Sequence, residues 1–74
     1  MKQYVIIRYS GYKPVRHYVR AWDERYPDIV YKVTKKASEA VHYQTEREAV
    51  TQRARANDAA WDLDVLFDIE EVEA

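Results

Sequence analysis

The sequence predicts an α+β domain: an antiparallel sheet of about four strands, in the order β-β-β-α-β, with one helix packed on one face. The chain has 74 residues, which is the size of one domain, so residues 1–74 are expected to share one core. Four segments are rich in Val, Ile and Tyr, and one segment has the signature of a helix. The predicted strands are residues 2–9, 15–22, 29–34 and 64–70, and the predicted helix is residues 46–57.

The first two strands are predicted to form a hairpin. Residues 2–9 (KQYVIIRY) are apolar at both odd and even positions, which is typical of a central strand. Ser10 and Gly11 make the turn, because glycine adopts positive φ without steric cost, and Pro14 fixes the backbone after it. The stretch 23–28, which contains Pro27, is expected to be a loop before the third strand.

The helix has a clear start signal. Thr45, followed three residues later by Glu48, is a capping box. Asn57 is expected to end the helix as a left-handed C-cap. Small side chains on one stripe of this helix would let it lie close to the sheet, and they are Ala49, Val50 and Ala54. After the last strand, the tail from residue 70 to residue 74 is expected to fray.

Strand alternation divides the predicted sheet into two faces. The side chains expected to face the helix are Val5, Ile7, Val15, Val19, Ile29, Tyr31, Val33, Val65, Phe67 and Ile69. The opposite face interleaves aromatic rings with arginine, the residue types enriched at binding hot spots. The predicted partner-binding residues on it are Tyr4, Arg8, Arg16, Tyr18, Arg20, Trp22 and Lys32.

Charge is unevenly distributed along the chain, although the net charge is only −1. Residues 1–36 contain nine basic and three acidic residues, whereas residues 37–74 contain three basic and ten acidic residues. This asymmetry is typical of a partner-binding surface, or of two halves that pair their charges in the fold. The acidic half predicts a second binding edge that imitates a run of phosphates, or a solvated edge that prevents aggregation. Its residues are Asp62, Asp64, Asp68, Glu70 and Glu71.

A spaced pattern joins the third strand to the helix, and its residues are Thr34, Ala40, Tyr43, Thr45, Glu48 and Ala49. With the YVI segment of the first strand and the V-x-F-x-I segment of the last, it resembles a T…A…F-x-T-x-x-E-A pattern. That pattern occurs in small uncharacterised phage and prophage proteins of Gram-positive bacteria. Tyr43 stands where the pattern has Phe, and residues 23–28 have no counterpart. The resemblance implies a phage accessory protein and carries over no site residues.

Catalytic, cofactor and metal chemistry are not predicted. His17 and His42 have no Ser or Cys nucleophile near them, and one glycine leaves no phosphate-binding loop. The chain has no cysteine, which excludes disulfides and thiolate metal ligands. The apolar run that begins at Tyr4 ends at Arg8, too short for a signal peptide or a membrane span. We therefore expect a non-enzyme, without cofactor or metal, in the cytoplasm of a bacterial host.

Three functions remain open from the sequence. The first is a phage or prophage accessory protein that binds and inhibits a host protein, in its sharpest form an anti-CRISPR-like inhibitor of a defence nuclease. The second is a module that binds single-stranded nucleic acid, because bases stack on aromatic rings beside arginine. Asp68 and Glu70 on the same face would repel phosphates and argue against it. The third is a homodimer or larger homo-oligomer with no host target. A membrane partner is not expected.

Overall fold

The computed structural model describes residues 1–10, 13–25, 28–59 and 65–73, with side chains for all of these except residues 10, 13–15, 24–25 and 28–29. The chain forms one four-stranded antiparallel sheet and one α-helix, as predicted. The strands are β1 (Lys2–Ser10), β2 (Lys13–Arg25), β3 (Asp28–Thr34) and β4 (Val65–Glu73), and the helix α1 is Glu46–Ala59. The strand order β3-β2-β1-β4 places β1 in the centre of the sheet, which confirms the expectation from its apolar run. Gly11 and Pro27 of the predicted turns lie outside the described residues.

Strand β2 is longer than predicted, and the predicted loop at residues 23–28 is wrong for all four of its described residues, since 23–25 belong to β2 and 28 begins β3. Asp23 lies opposite Val30, and Arg25 lies opposite Asp28. Cross-strand hydrogen bonds therefore extend the hairpin of β2 and β3 through a polar segment. Nothing in the side-chain pattern of that segment distinguishes a strand from a loop.

The predicted fraying of the tail from residue 70 is also wrong, because β4 continues to Glu73. Val72 lies opposite Gln3, and Glu73 lies opposite Lys2 at the start of β1. The Lys2 ammonium nitrogen is 3.1 Å from a carboxylate oxygen of Glu71. Pairing with β1 holds a segment whose acidic composition favours disorder when it is considered alone.

The sheet is strongly curved. Strands β3 and β4 are separated by two other strands, which in a flat sheet places them about 14 Å apart. The ring centroids of Tyr31 in β3 and Phe67 in β4 are nevertheless only 5.2 Å apart. The register of β2 against β3 shifts between Val19 and Ala21, where Arg20 is the extra residue of a β-bulge. Bulges increase the bend and twist of a strand, so this one contributes to the curvature.

A short segment before the helix lies between β1 and β2. The Val41 N–H donates to the Val19 carbonyl oxygen at 3.0 Å. Tyr43 exchanges two backbone hydrogen bonds with Tyr4, of 3.0 and 2.8 Å. The same segment begins with a single turn of 3₁₀ helix, Ala37–Glu39. The chain therefore joins the sheet once more before it forms α1.

Helix α1 begins as its capping box predicts, with the Glu48 N–H donating to the Thr45 hydroxyl oxygen at 3.2 Å. Ala49 is buried, but Ala54 is exposed, so the predicted apolar stripe is wrong at that position. Ala56 takes its place, because seven residues are about two helical turns and bring Ala56 to the same side as Ala49. Ala56 packs against a buried cluster of Ile6, Val19 and Phe67.

Candidate binding surface on the outer face of the sheet

Strand register assigns each side chain to a face, because directly opposed residues lie on the same side of a sheet. The inner face carries α1 and contains Ile6, Val19 and Phe67, which contact Ala56. The outer face is the opposite one. Ile7 lies on it, opposite Tyr18 in β2 and Asp68 in β4.

Three of the seven predicted partner-binding residues lie on the inner face, so their predicted orientation is wrong. Trp22 contacts Phe67 with ring centroids 5.6 Å apart. The Arg8 Nε donates to the Tyr31 hydroxyl at 2.8 Å, and its guanidinium carbon is 5.9 Å from the centre of that ring. Tyr4 has the same alternation as Ile6 and is half-buried. These side chains hold the curved sheet together.

Two features of the chain explain the wrong orientation. Val5, Ile6 and Ile7 are all apolar, so alternation alone does not show which of them face the helix. In β2, the bulge at Arg20 interrupts the alternation and turns Trp22 to the face opposite Tyr18. The prediction of helix-facing residues is correct in β2, β3 and β4 wherever the side chain is described. These residues are Val19, Tyr31, Val33, Val65, Phe67 and Ile69.

The outer face contains its own buried residues. Val5 and Ile7 have 0% and 2% of their surface exposed, although they lie away from α1. Tyr18 interacts with Glu70, and because Tyr18 is in β2 and Glu70 is in β4, the contact crosses β1. Glu70 lies opposite Val5, and Tyr18 lies opposite Ile7, so this contact passes over both aliphatic side chains. Burial, and then the charge of Glu70 and a hydrogen bond with it, raise the pKa of Tyr18.

One row of the outer face combines a cation, an aromatic ring and an exposed aliphatic side chain. Tyr9 lies opposite Arg16 on one side and Leu66 on the other. The Arg16 guanidinium carbon is 5.6 Å from the centre of the Tyr9 ring, which is within the range of a cation–π interaction. Leu66 is 60% exposed. Tyr9 was not among the predicted binding residues, since alternation from Val5 and Ile7 assigned it to the helix side.

Arg16 and Lys32 give the outer face a basic side, and β4 gives it an acidic side. Arg16, Arg20 and Lys32 are exposed on β2 and β3, with Arg20 at the bulge. On β4, Asp68 and Glu70 share the outer face. A surface of this kind has both signs of charge within the width of four strands.

The predicted acidic edge does not form one continuous surface. Glu71 lies opposite Tyr4 on the inner face, whereas Asp68 and Glu70 are on the outer face. Asp68 accepts a hydrogen bond from the Ile69 N–H at 2.8 Å and is 3.4 Å from the Arg53 guanidinium. The hydrogen bond and the charge of Glu71 raise the pKa of Lys2. Asp62 and Asp64 lie outside the described residues.

Comparison with protein families, characterised proteins and solved structures finds no match to this chain. Within the described ranges, no group of three or more His, Cys, Asp or Glu side chains is placed to hold a metal ion. No helix in the same part of the chain is long and apolar enough to span a membrane.

Proposed function

We propose that this chain is a non-enzymatic protein-binding domain and that its outer face contacts the partner. The observation that carries this proposal is the row formed by Arg16, Tyr9 and Leu66. Tyrosine and arginine are enriched at binding hot spots, and the 60% exposed Leu66 beside them adds apolar surface that a partner can bury. Asp68, two residues after Leu66 in β4, adds a charged side chain beside this row.

The outer face suits a protein better than a nucleic acid. Two of the aromatic rings predicted for base stacking, those of Tyr4 and Trp22, are on the inner face. On the outer face, Glu70 lies within two strands of Arg16, and Asp68 lies at the β4 edge beside Arg53, so a phosphate backbone that crosses the sheet meets negative charge at β4. A protein surface with both charges is complementary to such an arrangement.

A comparison of matched variants tests the proposal. The tagged protein is used to capture partners from a bacterial lysate, alongside Leu66→Glu, Arg16→Glu and a control, Ala54→Glu, on the exposed side of α1. We expect wild type and Ala54→Glu to capture the same partner, and the two outer-face variants to lose it while keeping their circular dichroism spectra. Equal capture by all four proteins would contradict the proposal.

A titration of labelled single-stranded DNA and RNA at about 50 mM salt tests the nucleic-acid alternative. We expect no binding that depends on Arg16. Tight binding that weakens steeply with salt, and is lost in Arg16→Glu, would replace the protein-binding proposal by the nucleic-acid one.

The sharper proposal is a phage or prophage protein that inhibits a host defence nuclease. It is supported by the resemblance of the segment from Thr34 to Ala49 and by the acidic side chains of β4. The test is cleavage of labelled DNA by purified defence nucleases with and without the protein. We expect one nuclease to be inhibited, and the double variant Asp68→Lys/Glu70→Lys to inhibit it less. Full cleavage by every nuclease tested would contradict this form of the proposal and leave the protein-binding proposal standing.

A further inference from the structure

The two outermost strands of the sheet differ in how their free edges are occupied. On β4, the Asn57 side chain pairs with the backbone of Phe67, and the Asp68 carboxylate accepts from the Ile69 N–H. These contacts satisfy backbone groups that point away from β1. Sheet edges left open are templates for another strand, and proteins commonly block them in this way.

The outer edge of β3 is open. The Val19 carbonyl oxygen accepts from the Val41 N–H, so the backbone groups of Val19 point away from β3. Val19 and Val33 are therefore a non-hydrogen-bonded pair, and the N–H and C=O of Val33 point outward from the sheet. The same holds for Tyr31, two residues earlier in β3. Among the described residues, no hydrogen bond occupies these outward backbone groups.

The side chains along this edge are basic and aliphatic. Val30 is 49% exposed on the outer face, and Val33 is 37% exposed on the inner face. Lys32, Lys35 and Lys36 are all exposed, and no acidic residue occurs from residue 29 to residue 38. The next acid in the chain, Glu39, accepts a hydrogen bond from the Thr34 hydroxyl at 2.7 Å.

We propose that the outer edge of β3 binds an extended, acidic segment of a partner protein as a fifth strand. The outward groups of Tyr31 and Val33 supply backbone hydrogen bonds, and exposed Val30 and Val33 supply apolar contacts on the two faces. The lysines select for acidic side chains in the added strand. Pairing of β3 with β3 of a second copy would instead bring two sets of lysines together, which the like charges oppose. This edge is separate from the row of Arg16, Tyr9 and Leu66.

A defined peptide tests the proposal without a known partner. The probe is a fluorescein-labelled peptide of alternating glutamate and valine, seven residues long, with blocked ends. One control replaces each glutamate by lysine, and the other carries N-methyl groups on alternate amides. By fluorescence anisotropy, we expect the acidic peptide to bind and to weaken with salt, and both controls to bind at least about tenfold more weakly.

Variants of the protein locate the binding. Val33→Pro removes the outward N–H without affecting the pairing with β2, and we expect about fivefold weaker binding. Lys32→Glu/Lys35→Glu is expected to weaken binding about tenfold, whereas a single charge reversal on α1, Arg47→Glu, leaves it unchanged. If Val33→Pro unfolds, the N-methylated peptide still tests the backbone pairing, because it removes N–H donors from the peptide and not from the protein.

Three outcomes overturn the proposal. One is equal binding of the acidic and basic peptides, and another is binding that the lysine double variant does not change. The third is a concentration-dependent dimer, seen by analytical ultracentrifugation, that Val33→Pro dissociates and the acidic peptide does not. Leu66→Glu is expected to bind the peptide as wild type does. The proposal for the outer face and the proposal for the β3 edge can therefore fail independently of each other.

Discussion

Asn57 and Phe67 are paired as if they belonged to neighbouring strands. The Asn57 amide nitrogen donates to the Phe67 carbonyl oxygen at 3.1 Å, and the Phe67 N–H donates to the Asn57 amide oxygen at 2.9 Å. A single side chain in the last turns of α1 thus satisfies both backbone groups of one residue in β4. The pair fixes the helix to the sheet and closes part of the β4 edge.

Replacement of Asn57 by alanine should destabilise the domain by about 2 kcal/mol, because two partly buried hydrogen bonds are lost and the backbone groups of Phe67 remain. The higher helix propensity of alanine offsets at most about 0.7 kcal/mol of this loss. Urea denaturation followed by circular dichroism measures the difference in the free energy of unfolding.

Thr51→Ala is the matched control. The Thr51 hydroxyl donates to the Arg47 carbonyl oxygen within the same helix, and Thr51 is exposed. Its replacement should change stability by no more than about 0.5 kcal/mol. Equal effects of the two variants would show that the Asn57 pair adds nothing to stability.

The role of Asn57 illustrates what the sequence does not contain. An asparagine near the end of a helical segment is a common C-cap, and local rules predict that role. The helix continues to Ala59 instead, because the Asn57 amide has a partner ten residues later in the chain. A local pattern predicts the capping box at Thr45 correctly, since both of its partners lie within one turn.

Replacement of Trp22 by alanine should destabilise the domain by about 3 kcal/mol or more, because the ring packs against Tyr31 and Phe67 on the inner face. A domain of this size has about 4–11 kcal/mol of stability in total, so the variant should lose about a quarter of it or more. Thermal denaturation measures the effect.

Arg20→Ala, two residues earlier and exposed, is the control and should change stability by about 0.5 kcal/mol or less. If Trp22→Ala retains the wild-type melting temperature, the ring is not part of the core.

The candidate surface was predictable where local alternation decides the face of a side chain, and unpredictable where the pairing of distant strands decides it. Arg16, Tyr18 and Lys32 follow regular alternation and lie on the outer face as predicted. Trp22 follows a bulge, whose position depends on how β2 pairs with β3 rather than on the residues themselves. The face on which Tyr9 lies depends on which side of β1 packs against the helix. Because β1 has an apolar run, its own residues do not determine that side, and the packing of the whole sheet does.

Ionisation of Tyr18 should depend on Glu70. Burial and the neighbouring carboxylate raise the pKa of Tyr18 above its ordinary value of 10.0, since both disfavour the phenolate. Glu70→Gln removes the charge and should lower this pKa toward the ordinary value, while Glu48→Gln on α1 should leave it unchanged. Nuclear magnetic resonance of the tyrosine ring carbons, with Tyr18→Phe for assignment, measures the titration. A pKa of Tyr18 that is equal in wild type and Glu70→Gln would refute the contact.

The same shift has a consequence for stability at high pH. A raised pKa in the folded state means that folding favours the neutral phenol of Tyr18. The contribution of the Tyr18 phenol to the free energy of unfolding is complete below the ordinary pKa. It is lost as the pH rises through the raised pKa of Tyr18 in the folded protein. Wild type should therefore lose more stability than Tyr18→Phe above about pH 10, as measured by urea denaturation at a series of pH values. Parallel curves for the two proteins would contradict this prediction.

Ala56 is the point at which α1 contacts the core, so a larger side chain there should be destabilising. Ala56 is buried against Ile6 and Phe67, and Ala56→Leu adds three carbon atoms to a packed interface at a cost of about 1–3 kcal/mol. Ala54→Leu places the same group on an exposed position of the same helix and should cost no more than about 0.5 kcal/mol. Chemical denaturation of the two variants compares them directly. The sequence pattern places Ala54 on the buried stripe, whereas the structure places Ala56 there, so the variant with the larger loss identifies the face of α1 that contacts the sheet.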